Sequence, residues 1–249
     1  MLRRLLPLPA ACVLLLSACS GGREGSGTSP PPFAPTPAPA TTTALQPEPP
    51  AWAVIPRQRY LEMWKKPGRP NPAFVFDSRL AGVGFGRMLV VGEREANGER
   101  WLRVKLPIRP NGAAAWARQS DVRLVPRYDQ LMVDLSKRTL EHYRDGELID
   151  RFRVGIGQPR YPTALGTFYV WQKVNFGEWY GPYGIYALGL SGFSPVLLDW
   201  PGGGRMAIHG TADPSDRGQQ VSLGCIRVYN EGMKLLRRIP LGTPVVIRP

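Results

Sequence analysis

Histidine and cysteine are scarce in this chain, with two of the first and three of the second among 249 residues. His142 and His209, with Cys12, Cys19 and Cys225, are too few soft donors for a four-cysteine zinc site. A site of paired cysteines and paired histidines fails as well once an export signal is removed, so a structural zinc protein is excluded and neither a metal nor a cofactor is expected. Acidic residues are also short. Against 32 Lys plus Arg stand 19 Asp plus Glu, and the net charge of +13 suits a partner bearing phosphate or carboxylate: nucleic acid, a membrane surface or cell wall. Uninterrupted helical patterning is missing too, because 28 Gly and 27 Pro punctuate the chain, and a multi-part, largely β protein fits this composition. No apolar run is long enough to span a bilayer permanently, since the stretch from Leu5 to Leu16 is short and broken by Pro7 and Pro9.

That stretch, preceded by Arg3 and Arg4, reads as an export signal over residues 1–18. Its end, Leu16-Ser17-Ala18-Cys19, resembles the bacterial lipobox, which implies that Cys19 carries a diacylglycerol anchor; an ordinary secretory signal is the alternative. Either reading takes the mature protein out of the cytoplasm. Nucleic acid is then not expected as the anionic partner, and a wall polymer or anionic lipid is. Residues 19–50 hold nine prolines among Gly, Ser, Thr and Ala, a composition that buries no core. Extended at ~3.1 Å per residue, this linker reaches on the order of 90 Å from a membrane.

Charge divides the remainder unevenly. Residues 51–128 carry 15 Lys plus Arg and 6 Asp plus Glu, a net +9, whereas residues 129–249 carry 14 and 11, a net +3. Short β-prone runs at 73–76, 88–91 and 101–104, and a strand through Trp116 after the Asn111-Gly112 turn, give residues 51–126 the pattern of a small SH3-like β-barrel. The glycines at 82, 84 and 86 have no dinucleotide-binding spacing and read as a hairpin or bulge. Farther on, Leu131, Val133 and Leu135 alternate with Met132, Asp134 and Ser136 in the pattern of a half-buried strand, Asp145-Gly146 marks a hairpin, and strands are expected at 166–170, 206–208 and 244–247. One helix is expected over 230–239, with Asn230 as its N-cap.

Cys225 has no cysteine partner left once Cys12 is removed and Cys19 is lipidated. It is either an inert buried thiol or a nucleophile. Gly224 beside it lets backbone amides approach a developing oxyanion, and Ser222 and Arg227 flank it. A thiol nucleophile needs a base. His142 lies in a strand and is expected to face solvent, whereas His209 ends a strand and is followed by Gly210, where a side chain is both fixed and exposed. Seven aromatics at 171, 179, 180, 183, 186, 193 and 200, among many glycines, suggest a loop walling a cleft over Cys225.

His209-Gly210-Thr211, followed by Ser222-Leu223-Gly224-Cys225-Ile226-Arg227-Val228 and Asn230, resembles the signature of bacterial L,D-transpeptidases of the YkuD type. The resemblance runs from about Leu131 to Ile247. It implies a β-sandwich-like catalytic domain over 127–249 and, as substrate, the stem peptide of peptidoglycan. By the same resemblance Cys225 attacks the bond between a diamino acid and D-Ala, His209 is the base with Gly210 orienting it, the amides of Gly224 and Cys225 hold the oxyanion, and Arg227 binds substrate carboxylate or serves as ion-pair scaffold. Leu223 departs from the His or Lys that many members carry there. A hydrolase using water on the same residues, or an inactive wall-binding lipoprotein, are the alternatives at this point.

Overall fold

The structure, a computed structural model, describes residues 51–80, 84–177, 181–199, 202–211 and 213–249. Cys19 and the linker lie outside the described residues. In the first half of the described chain the strands are β1 (Ala51–Pro56), β2 (Tyr60–Met63), β3 (Phe74–Asp77), β4 (Arg79–Leu80), β5 (Gly84–Phe85), β6 (Met88–Ala96), β7 (Glu99–Lys105), β8 (Ala114–Arg118) and β9 (Val122–Arg127). Five of them form one sheet in the order β8-β7-β6-β1-β9, while β4 and β5 make the hairpin around the glycine cluster, of which Gly82 lies outside the described residues.

The second half supplies β10 (Asp129–Asp134), β11 (Thr139–Arg144), β12 (Glu147–Arg153), β13 (Ile156–Gly157), β14 (Gly166–Asn175), β15 (Tyr186–Phe193), β16 (Arg205–His209), β17 (Gln220–Ser222), β18 (Ile226–Arg227), a helix α1 (Asn230–Leu236) and β19 (Pro244–Arg248). Eight strands join in the order β12-β11-β10-β19-β14-β15-β16-β18, and β13 pairs with β17 in a small parallel ribbon. Among the described residues the protein is therefore mostly β, with one α-helix. At the middle of the large sheet β10 and β19 run parallel, Leu131 opposite Val245 and Val133 opposite Ile247.

Two-residue periodicity on β14 explains why both halves belong to one compact unit spanning Gln46–Pro249. Phe168 and Val170 point into the core of the large sheet with Leu188, Leu190, Met206, Ile208 and Met233. The alternate residues Tyr169 and Trp171 pack on the core of the five-stranded half, and the Tyr169 hydroxyl donates to the Lys105 carbonyl at 3.3 Å. Truncating a fully buried side chain such as Ile208 to alanine costs about 2–5 kcal/mol, so the strand beneath the cleft is rigidly set.

Two expectations change. The stretch read as a loop between Phe168 and His209 contains β15, paired with β14 on one edge and β16 on the other. Its sequence, YALGLSGF, lacks β-branched residues, and Gly192 is there because a Cβ would overlap the Phe168 ring. The helix stops at Leu236, and its N-cap is Tyr229 rather than Asn230.

Candidate active site

Alternation on β16 builds one wall of a cleft. Met206 and Ile208 anchor the strand in the core, which leaves Ala207 and His209 on the opposite side. Next to it β18 runs parallel, with Ile208 opposite Ile226 and His209 opposite Arg227. Ile226 is buried in the core, and its neighbours Cys225 and Arg227 therefore turn to the same side as His209. The resulting cleft has a volume of about 380 Å³ and is lined by Tyr183, Leu197, His209, Ser222, Cys225 and Arg227 among others.

The imidazole of His209 is buried, and its Nδ1 lies 2.7 Å from the Gly210 carbonyl oxygen. A carbonyl only accepts, so Nδ1 carries the proton and Nε2 keeps its lone pair. Burial pushes the pKa of His209 down to about 4; the Gly210 carbonyl opposes this in part, and the Arg227 cation adds to it. Tyr183 meets the imidazole edge-to-face at 5.2 Å and stacks on Phe176 at 5.8 Å.

Gly210 has a packing reason. Asn230 Oδ1 accepts the Ile185 N–H at 3.2 Å, and a Cβ on either Gly184 or Gly210 would overlap that oxygen. Asn230 thus spends its side chain bracing the His209-Gly210 turn, which is why it does not cap the helix. Two further backbone bonds hold the turn, Gly210 N–H to the Tyr186 carbonyl at 3.1 Å and Val228 N–H to the His209 carbonyl at 2.8 Å.

Cys225 sits half-buried at the end of a turn that Ser222 organises. Ser222 Oγ donates to the Cys225 carbonyl at 2.6 Å and accepts the Gly224 N–H at 3.1 Å. Gly224, at φ +111°, adopts a backbone conformation that disfavours any side chain. The expectation that the Gly224 amide faces an oxyanion is corrected here, because Ser222 already receives it. Burial pushes the Cys225 thiol up, while the backbone of Ala207 and the charge of Arg227 act in the other direction. Burial thus works against charge on both the thiol and the imidazole that share the cleft.

Arg227 reaches the cleft already paired. Its Nη1 lies 2.5 Å from Asp216 Oδ2, the Tyr229 hydroxyl donates to Asp216 Oδ1 at 2.7 Å, and its buried Nε has no hydrogen-bond partner. Asp216, in a single helical turn over Pro214–Asp216, was not singled out in the sequence, and an isolated acid in a polar turn carries no signal there. Of the seven aromatics expected over the cleft, Tyr183 lines it, Trp171 and Tyr186 pack against the cores and Phe193 is buried. Trp179, Tyr180 and Trp200 lie outside the described residues.

His142 is elsewhere, and it is not solvent-facing. It shares a face of β11 with the fully buried Leu140, so alternation turns it inward, where Nε2 lies 2.7 Å from Asp129 Oδ1 and Nδ1 3.3 Å from Asp150 Oδ2. Burial disfavours its charge, but the two carboxylates outweigh this and raise its pKa.

Residues 128–247 match the family model of the YkuD L,D-transpeptidase catalytic domain. A Bacillus licheniformis protein named for the L,D-transpeptidase YkuD is 34% identical over 122 residues, which is 48% of this chain and 66% of that protein. Its namesake in Bacillus subtilis is 30% identical over 119 residues, covering 47% of this chain and 64% of the relative. The chain thus spans just under two thirds of the length of these curated relatives. Among solved structures, an Enterococcus faecium L,D-transpeptidase is 27% identical, covers 49% of this chain and 50% of its own, and superposes with a TM-score of 0.38.

Proposed function

We propose that this chain is a cysteine acyltransferase, an L,D-transpeptidase acting on peptidoglycan stem peptides. The observation that carries the reading is that His209, its Nδ1 held by the Gly210 carbonyl so that Nε2 keeps its lone pair, shares one cleft with the thiol of Cys225. In this reading the Sγ of Cys225 attacks the carbonyl joining the L-centre of a diamino acid to D-Ala. As the C–S bond forms, Nε2 of His209 takes the thiol proton; this coupling suits a site whose burial disfavours charge on both partners. The amide of Cys225 is left to hold the tetrahedral oxyanion, since Ser222 engages that of Gly224. Collapse returns the proton from Nε2 to the departing D-Ala amine and leaves a thioester. The acceptor amine then gives its proton to Nε2 as it attacks the thioester, and the thiol is regained. Arg227, held by Asp216, supplies a fixed cation at the cleft for the donor's carboxylate.

In the same reading residues 1–18 export the chain, an acylated Cys19 anchors it to a membrane outside the cytoplasm, and the linker carries the head to the wall. Two or more acyl chains give stable anchoring where a single one does not. The decisive test incubates the purified mature protein with a tetrapeptide stem and a carbapenem in separate reactions. D-Ala release with formation of a cross-linked dimer, and one drug equivalent added by intact mass, both lost in Cys225→Ala, are expected. Free tripeptide without dimer would reassign the enzyme as a carboxypeptidase. A drug adduct that persists in Cys225→Ala would remove Cys225 as the nucleophile.

A further inference from the structure

The turn between β7 and β8, in the basic half, reaches the loop that walls the cleft. A single nitrogen of Arg109, Nη2, donates to three carbonyls of that loop: Ser194 at 3.1 Å, Leu197 at 2.9 Å and Gly203 at 2.9 Å. Its guanidinium also lies 4.9 Å over the Phe193 ring. Asn111 grips the same segment at both of its amide atoms, accepting the Phe193 N–H at 2.9 Å and donating to the Phe193 carbonyl at 2.8 Å. From the other side Arg205 stacks at 4.0 Å on Trp171 and 4.3 Å on Phe193, and donates to the Pro107 carbonyl at 3.1 Å.

The loop is shaped around that guanidinium. Ser194 N–H donates to the Gly204 carbonyl at 2.7 Å, and Ser194 Oγ accepts the Leu197 N–H at 3.1 Å, which folds the segment back on itself. Gly204 has a φ of +70°, and a Cβ there would overlap the Leu197 carbonyl. Carbonyls converging on one point repel one another unless a cation sits among them, and a hydrogen bond to a charged donor is worth about 1.5–3 kcal/mol. Leu197 and Gly204 both line the cleft that holds Cys225 and His209. Arg109 therefore stands behind the wall of the cleft, not inside it.

We propose that Arg109 and Asn111 are positioning residues, through which the basic half sets the wall at Leu197 and Gly204 and so determines how the acyl donor lies against Cys225. This rests on the transpeptidase reading above for the identity of the donor. It makes residues 107–112 part of the donor site without their touching substrate.

The test uses the mature protein with Arg109→Ala, Asn111→Ala and Arg109→Lys, the asparagine variant serving if loss of the arginine prevents folding. Three experiments are read: amide hydrogen exchange of residues 193–199, steady-state kinetics giving KM and kcat for a tetrapeptide donor, and the alkylation rate of Cys225 by iodoacetamide, which is too small to need the wall. Exchange at least ~10-fold faster is expected in both alanine variants. Donor KM should rise at least ~10-fold with kcat within about threefold, and alkylation should stay within about threefold of the parent. Arg109→Lys, which keeps the charge and loses the planar fork, should fall between. Exchange that does not change overturns the clamp, and faster exchange with an unaltered donor KM overturns its role in donor placement. A parent protein that neither binds nor turns over the tetrapeptide overturns the transpeptidase reading and the donor assignment with it, while the exchange rates still decide the clamp.

Discussion

The two histidines of this protein are both buried in the large-sheet half, and their surroundings shift their pKa values in opposite directions. His142 lies between the carboxylates of Asp129 and Asp150, with Arg144 bonded to Asp129 as well, and these acids raise its pKa. His209 has a backbone carbonyl on Nδ1, with Arg227 and its partner Asp216 farther off, and burial drops its pKa to about 4. A carboxylate partner favours the charged form of an imidazole, whereas a carbonyl fixes its tautomer without adding charge and leaves Nε2 as a base. Burial is common to both. What separates a cross-brace from a candidate base is the charge of the group on the other nitrogen.

Removing each ring is the strongest way to break the comparison. His209→Ala should lower carbapenem acylation of Cys225 at least ~10²-fold, about 2.7 kcal/mol of barrier, because the buried thiol is left protonated without a base. Stopped-flow acylation reads this directly. His142→Gln should leave the acylation rate within about threefold in the folded protein, and an equal loss in both variants would show that the contrast in environment does not matter. A smaller effect is expected at the brace. Gly210→Ala forces a Cβ against Asn230 Oδ1 and displaces the carbonyl that holds Nδ1. Acylation about tenfold slower is expected, with a circular dichroism spectrum like the parent's; a rate like the parent's would mean that the carbonyl is dispensable.

The smallest effect sharpens the contrast through pH. His142 binds its proton more tightly when folded, so its contribution to stability is whole below about pH 6.5 and is lost as pH rises through the higher folded value. For His209 the sign reverses. The unfolded chain takes up a proton below about pH 6.5 that the folded protein refuses until about pH 4, and stability falls as pH drops through that window. Melting temperatures across pH 4 to 9 should lose their acid-side slope in His209→Gln and their alkaline-side slope in His142→Gln. The slopes convert at roughly 2–4 °C per kcal/mol for a domain of this size. Slopes that survive in the matching variant would contradict the assigned directions of shift.

Much of this was legible in the chain, for physical reasons that differ by residue. Strands such as β10, with Leu131 and Val133 on one buried face, and β19, a short apolar run through Val245, Val246 and Ile247, announce themselves because they must be buried. His209 and Cys225 stood out through glycine neighbours, and both line the cleft. Period-two alternation with Leu140 also held the burial of His142, but the charges around that residue drew attention to solvent instead. By contrast β15 hides because its Gly192 serves packing against Phe168 and not a turn. Asn230 was misread because an asparagine before a helix is an ordinary cap, and only the distant Gly184 and Gly210 show what its oxygen meets. Asp216 and the grip of Arg109 depend on loops that meet across the fold, and local patterns carry no trace of such meetings.

The parallel pairing of β10 with β19 carries a consequence for the order in which the molecule assembles. The central ladder of the large sheet joins residues more than a hundred positions apart, Leu131 to Val245. Hairpins such as β10–β11 can form as soon as their residues exist, yet the middle of the sheet waits for β19. Until that strand arrives, β10 and β14 present open edges toward each other, which is the state in which a β protein pairs with the wrong neighbour. High sequence separation slows such closure to milliseconds or seconds. This half is therefore most exposed to misassembly before β19 docks, and whatever keeps its edges apart during that interval protects the cleft before the cleft exists.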